Sequence, residues 1–178
     1  MMSADLCEFY NLFLPVKYSF FIAILAQSAN LKEIFMTATP SLQKFIDAQQ
    51  KDYDIALAEI KQGRKRSHWM WYIFPQIQGL GFSETSKYYA IKNKEEANAF
   101  LKHPLLGTRL IQICQALLWL QDKDAGNIFG YPDDLKLKSS MTLFASLPGA
   151  DPVFQSVLNK FFGGKKDEKT LQILNKQE

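Results

Sequence analysis

The chain is poor in the residues that most often carry chemistry, with two cysteines and two histidines in 178 residues, and their spacing excludes several classes of site. Cys7 and Cys114 form no C-x-x-C, so neither a disulfide framework nor a cysteine zinc site is expected, and a reducing compartment, the cytoplasm, fits best. His68 and His103 belong to no H-E-x-x-H or other ligand spacing, so neither a metal nor a cofactor is expected. The apolar run Tyr18–Leu31 has fourteen residues, short of the roughly 20 that cross a bilayer as a helix, so no membrane association is expected. A net charge of +3 is too small to imply nucleic acid by itself, and DNA is not an expected partner. Internal repeats and low-complexity segments are absent, and no short stretch alternates as a strand would between turns.

What is present is an apolar fraction of 47% and an aromatic fraction of 13%, enough to bury a core in a chain of this length. Residues 1–35 read as an N-terminal extension. Ala26-Gln27-Ser28 resembles a signal cleavage site, but Asp5 and Glu8 precede the apolar run where a signal would be basic. Lys32-Glu33 can be encoded by AAGGAG, a ribosome-binding sequence, two codons ahead of Met36. In a bacterial chain, residues 1–35 would then lie upstream of the true start. Residues 36–178 are expected to form a single domain.

From Met36 the pattern is helical. Thr39 as N-cap and Pro40 at the first helical position open a stripe of Leu42, Phe45 and Ile46. Asp52–Gln62 continues it with Tyr53, Ala56, Leu57 and Ile60 and stops at Gly63. Ser83 caps a short helix, and Asn93 with Glu96 forms a capping-box-like start that His103-Pro104 terminates. The longest helix is expected over Leu105–Gln121, where Leu106, Leu110, Ile113, Cys114 and Leu117 recur at helical period. Cys114 in that stripe reads as a small buried hydrophobe. One helical turn is expected within Asp122–Gly130, then helices from Pro132 toward Leu147, from Asp151-Pro152 to Gly163-Gly164, and over Asp167–Lys176. The predicted class is all-α, a compact orthogonal domain of seven or eight short to medium helices.

The densest chemistry lies in Gly63–Ser83, GRKRSHWMWYIFPQIQGLGFS. Arg64, Lys65, Arg66 and His68 can meet an anion, or simply complement the negative end of the preceding helix. Trp69 and Trp71 can wall a core or stack on a ligand. Gly79-Leu80-Gly81 lacks the third glycine of a dinucleotide fingerprint and reads as a turn. A second polar cluster, Asp133–Thr142, can pair Asp134 or Lys136 with the basic stretch across a cleft. Ser139 and Ser140 are adjacent, so only one can face a given side of a helix.

The blocks HWMWYIFPQIQGLGFS, YYAI, LKHPLLGTRL, DDLKLKSSMTLF and KFFGGKKDEKTL together resemble the bacterial family named domain of unknown function 1810, over residues 42–174. The resemblance implies a compact, mostly helical domain and carries no activity. Its polar positions are the site candidates. Lys65, Arg109 and Lys136 would supply charge, His68, Asp134, Lys136 or Ser139 any catalysis, Trp69 or Trp71 stacking, and Gln76, Ser83 and Ser140 hydrogen bonds. The expected ligand is a small anionic metabolite, phosphorylated or nucleotide-like. The alternative is an interaction module that binds a protein or RNA partner through the basic face.

Overall fold

The computed structural model of the chain describes residues 40–177. The expectations for residues 1–35 and for Thr39 as a cap lie outside them. Among the described residues there are nine helices and no strand. They are α1 (Pro40–Lys61), α2 (Met70–Ile73), α3 (Glu84–Tyr88), α4 (Lys94–Lys102), α5 (Leu106–Trp119), α6 (Ala125–Phe129), α7 (Asp133–Ala145), α8 (Pro152–Phe162) and α9 (Glu168–Asn175). The class is all-α, with slightly more helices than the seven or eight predicted. No helix among them is long and apolar enough to cross a membrane.

The longest helix is α1, with 22 residues, and not α5, with 14. The two apolar stripes read from the sequence belong to that one rod. The polar stretch between them stays helical because Gln49 is buried and its Nε2 donates to the Tyr72 carbonyl at 2.8 Å. This bond satisfies a buried backbone acceptor at the end of the short α2.

Two helices collect the rest. α5 packs on α1, α4 and α8, while α7 packs on α6, α8 and α9. The stripe of α5, including Cys114, is buried, and burial pushes the Cys114 thiol far up, as expected of a core residue. Gly107 lets α5 follow α4 closely, because a Cβ there would lie 1.9 Å from the Leu101 carbonyl oxygen. His103 Nδ1 accepts the Leu105 and Leu106 amides at 3.2 and 3.3 Å, which fills the N-terminus of α5. At the other end, Lys160 from α8 donates to the carbonyls of Leu117, Leu118 and Leu120 and matches the negative end of the helix dipole.

The segment after α8 is placed by local chemistry. Gly163 ends the helix in the left-handed region at φ 60° and Gly164 continues at φ 76°. The Asp167 amide then donates to Thr142 Oγ1 of α7 at 2.8 Å. That bond sets Lys165, Lys166 and Lys169 beside α7.

Candidate functional site: a lysine and aromatic cleft

The basic stretch is organised by a residue that its own sequence does not mark. Glu59, near the end of α1, is buried, and its carboxylate accepts from the Arg66 amide at 2.7 Å, the Ser67 amide at 3.1 Å and Trp69 Nε1 at 2.8 Å. The Ser67 hydroxyl donates to the second oxygen. Burial alone would raise the Glu59 pKa, but these four hydrogen bonds outweigh it and hold the group at about 2. The loop is thereby wound around one anion. Trp69 is fully buried and meets Phe74 and Phe129 as a core ring, so it offers no face to a ligand. Arg64, Arg66 and His68 are exposed and lie outside the lining of the cleft beside Trp71, while Lys65 is partly buried.

Lys65 is the one that turns inward. Its Nζ meets Asp133 Oδ2 at 2.8 Å, while Lys136 meets Asp133 Oδ1 at 2.7 Å. Burial of Asp133 works against ionisation, but the two ammonium groups prevail and its pKa lies below the ordinary carboxylate value. The basic stretch and α7 do pair, through Asp133 and not Asp134. The neighbouring Asp134 turns aside by one helical position, with its Oδ1 buried and without a hydrogen-bond partner among the described residues. Each ammonium also covers an indole: Lys65 sits 5.2 Å from the Trp69 ring centre and Lys136 4.8 Å from that of Trp71.

On the Trp71 side lies a cleft of about 1080 Å³. Trp71, Gln76, Lys136 and Ser139 lie together in its lining, joined by Leu80–Ser83 and Ser86 from the loop before α3 and the start of that helix. Tyr131 joins from the start of α7, and Lys165–Lys169 from the segment leading into α9. Gln76 Nε2 donates to Ser139 Oγ, whose hydroxyl lies 3.1 and 3.2 Å from the Leu135 and Lys136 carbonyls. That hydroxyl is held by an amide and helix carbonyls. Gln76 Oε1 makes no hydrogen bond among the described residues and is available as an acceptor. Ser140, by contrast, is fully buried. Ser83 lines the cleft while also capping α3, where its Oγ accepts the Ser86 amide at 3.2 Å.

Five lysines, Lys136, Lys138, Lys165, Lys166 and Lys169, face two carboxylates, Asp167 and Glu168, around this space. Asp167 is committed to α9, since its Oδ2 accepts the Thr170 amide and hydroxyl at 2.8 and 2.7 Å. The ammonium groups of Lys138, Lys165 and Lys169 make no ion pair or hydrogen bond among the described residues, and the cleft is a site of unmatched positive charge. Arg109 is not part of it, because its guanidinium stacks 4.7 Å from the Tyr53 ring centre. No group of three or more His, Cys, Asp or Glu among the described residues could hold a metal.

Of the predicted site residues, Trp71, Gln76, Ser83, Lys136 and Ser139 share the cleft, and Lys65 reaches it through Asp133. His68, Trp69, Arg109, Asp134 and Ser140 lie elsewhere. The lysines of residues 165–169 and the rings of Phe82 and Tyr131 escaped the sequence reading. A basic KK-x-x-K run inside the family block KFFGGKKDEKTL was the available signal.

Comparison with known proteins addresses the family directly. Residues 39–174 match the family model described as protein of unknown function (DUF1810). The chain belongs to this family. The DUF1810 fold seen here is similar to the crystal structure titled the conserved hypothetical protein Rv1873 from Mycobacterium tuberculosis. The two share 45% identity at a TM-score of 0.74, over 75% of this chain and 96% of that one. No curated protein matches the chain. Neither the DUF1810 description nor that title assigns an activity.

Proposed function

We propose that the protein binds an anionic small ligand, phosphorylated or nucleotide-like, in the Trp71 cleft, and that it does so in the cytoplasm. The observation that carries this reading is the unmatched lysine charge beside an indole face in one concave space. Phosphate oxygens would meet Lys136, Lys138, Lys165 or Lys169, each contact strengthened by the charge on the donor. A planar base would lie against the cleft's aromatic surface, and Gln76 Oε1 would accept from an amine or a sugar hydroxyl. Cys114 as a buried free thiol suits a reducing compartment.

The test is thermal denaturation of the full chain with nucleotides, sugar phosphates and inorganic phosphate. A ligand at about 100 times its dissociation constant adds roughly 2.7 kcal/mol, a shift of several degrees. Lys136→Ala and Trp71→Ala are expected to abolish the shift, and Arg64→Ala, exposed and outside the cleft, to keep it. A shift that survives both cleft variants, or none with any phosphorylated compound, overturns the reading. The alternative module, with Arg64 and Arg66 as its exposed basic face, would instead lose its macromolecular partner on Arg64→Ala and Arg66→Ala.

A further inference from the structure

The cleft holds more cationic and aromatic surface than one phosphate and one base can occupy. Phe82 and Tyr131 are 87% and 84% exposed, and both border it from separate segments. Trp71 adds a third, partly buried ring in the same lining. Large aromatic side chains left in water on one rim are available stacking faces, and every base has a face to offer them. Three of the five lysines have no partner among the described residues, whereas a single phosphate is saturated by two or three donors. The volume of about 1080 Å³ also lies above the usual range of about 300–1,000 Å³ for small-molecule sites.

We infer that the cleft takes a short single-stranded oligonucleotide, with successive bases stacked on Trp71, Phe82 and Tyr131 and the backbone phosphates set against the lysines. The proposal rests on the reading of the cleft as a site for a phosphorylated, nucleotide-like ligand and extends it to a polymer. Single strands are specified because a duplex hides the faces of its bases, and side chains of this kind reach bases only when they are splayed out. RNA and DNA share phosphates and three of their four bases, so in a matched oligoadenylate pair the 2′-hydroxyl alone separates them.

The experiment is fluorescence anisotropy of the full chain with short labelled homo-oligonucleotides of RNA and of DNA, a labelled duplex, and AMP and inorganic phosphate as competitors. The oligonucleotide is expected to bind at least about tenfold tighter than AMP. The logarithm of its affinity should fall with the logarithm of salt concentration at a slope of about −2 or steeper, since each phosphate contact on a single strand contributes about −0.7. Phe82→Ala and Tyr131→Ala should each weaken it about fivefold or more, consistent with the stacking on a single aromatic, while the exposed positions leave the melting temperature unchanged. An RNA oligomer that outcompetes its DNA counterpart identifies RNA as the source, and the reverse identifies DNA. If AMP competes as well as the oligomer, the inference falls and the small-ligand reading stands. Equal affinity for the duplex, or indifference to both aromatic substitutions, overturns the inference as well. Failure of oligomer, AMP and phosphate alike removes both readings.

Discussion

Trp69 and Trp71 stand two positions apart and belong to different kinds of structure. Around Trp69, a buried carboxylate gathers two amides, a hydroxyl and an indole N–H, and each of these four donors is matched. Around Trp71, lysines outnumber carboxylates and aromatic rings stand in water. Both regions are rich in charge and aromatic surface, and composition alone cannot tell them apart. The difference is satisfaction: the first region uses its polar groups to hold the fold, while the second leaves three of its ammonium groups without a partner among the described residues. The same substitution type should therefore have opposite consequences in the two places.

The largest effect is expected from Glu59→Ala, which leaves Trp69 Nε1, the Arg66 and Ser67 amides and a hydroxyl without their acceptor. Hydrogen bonds to a charged group contribute about 1.5–3 kcal/mol each and are not additive, so we expect a loss of about 3–5 kcal/mol in urea denaturation. The acid side of the same interaction is testable. The Glu59 pKa is lowered from 4.5 to about 2 in the folded chain. Its contribution to stability is complete above about 4.5 and is lost as pH falls toward 2, and Glu59→Gln should flatten the stability profile in that window. His103 acts higher on the scale. Burial lowers its pKa from 6.5, so stability declines as pH falls below 6.5, and His103→Gln should remove that part of the slope in a pH series of melting temperatures.

Asp133→Asn separates the two regions next. It leaves Lys65 and Lys136 without their shared counter-charge, at a cost of about 2 kcal/mol, while removing a negative charge beside the cleft. Stability should fall and affinity for phosphate should rise, a pair of opposite signs readable by thermal denaturation and by titration calorimetry. The smallest change in stability is expected from Lys169→Ala, exposed and unpaired, within about 0.5 kcal/mol. Its consequence should appear in binding alone.

Legibility in the sequence followed the distance over which each feature is decided. Caps are decided within a few residues, and Ser83, Asn93, Asp151 and Gly163 stand at the boundaries their identities predict. The reciprocal arm of the Asn93 cap differs in detail, with Glu96 accepting from the Lys92 amide at 2.6 Å. The periodicity of α5 revealed its buried face, but the continuity of α1 was hidden because its polar middle is matched by a carbonyl twenty-three positions away. The cleft is assembled from four separated segments, and nothing local in KKDEKTL shows that Thr142 will hold it against α7. Trp69 shows the same limit from the other side. Its neighbours advertise a binding surface, and only the carboxylate ten positions earlier, on a different element, makes it core.

The three tryptophans of the chain also make it optically self-reporting. Trp69 is sealed from solvent, Trp119 is 84% exposed at the end of α5, and Trp71 lies partly covered beneath an ammonium group. Their indoles should emit at different wavelengths, with Trp119 nearest the red edge and Trp69 nearest the blue. A soluble quencher would silence Trp119 first and leave Trp69 bright until the chain unfolds. With Trp119→Phe as the background, the remaining quenchable light comes from the cleft itself, so occupancy can be followed without a label.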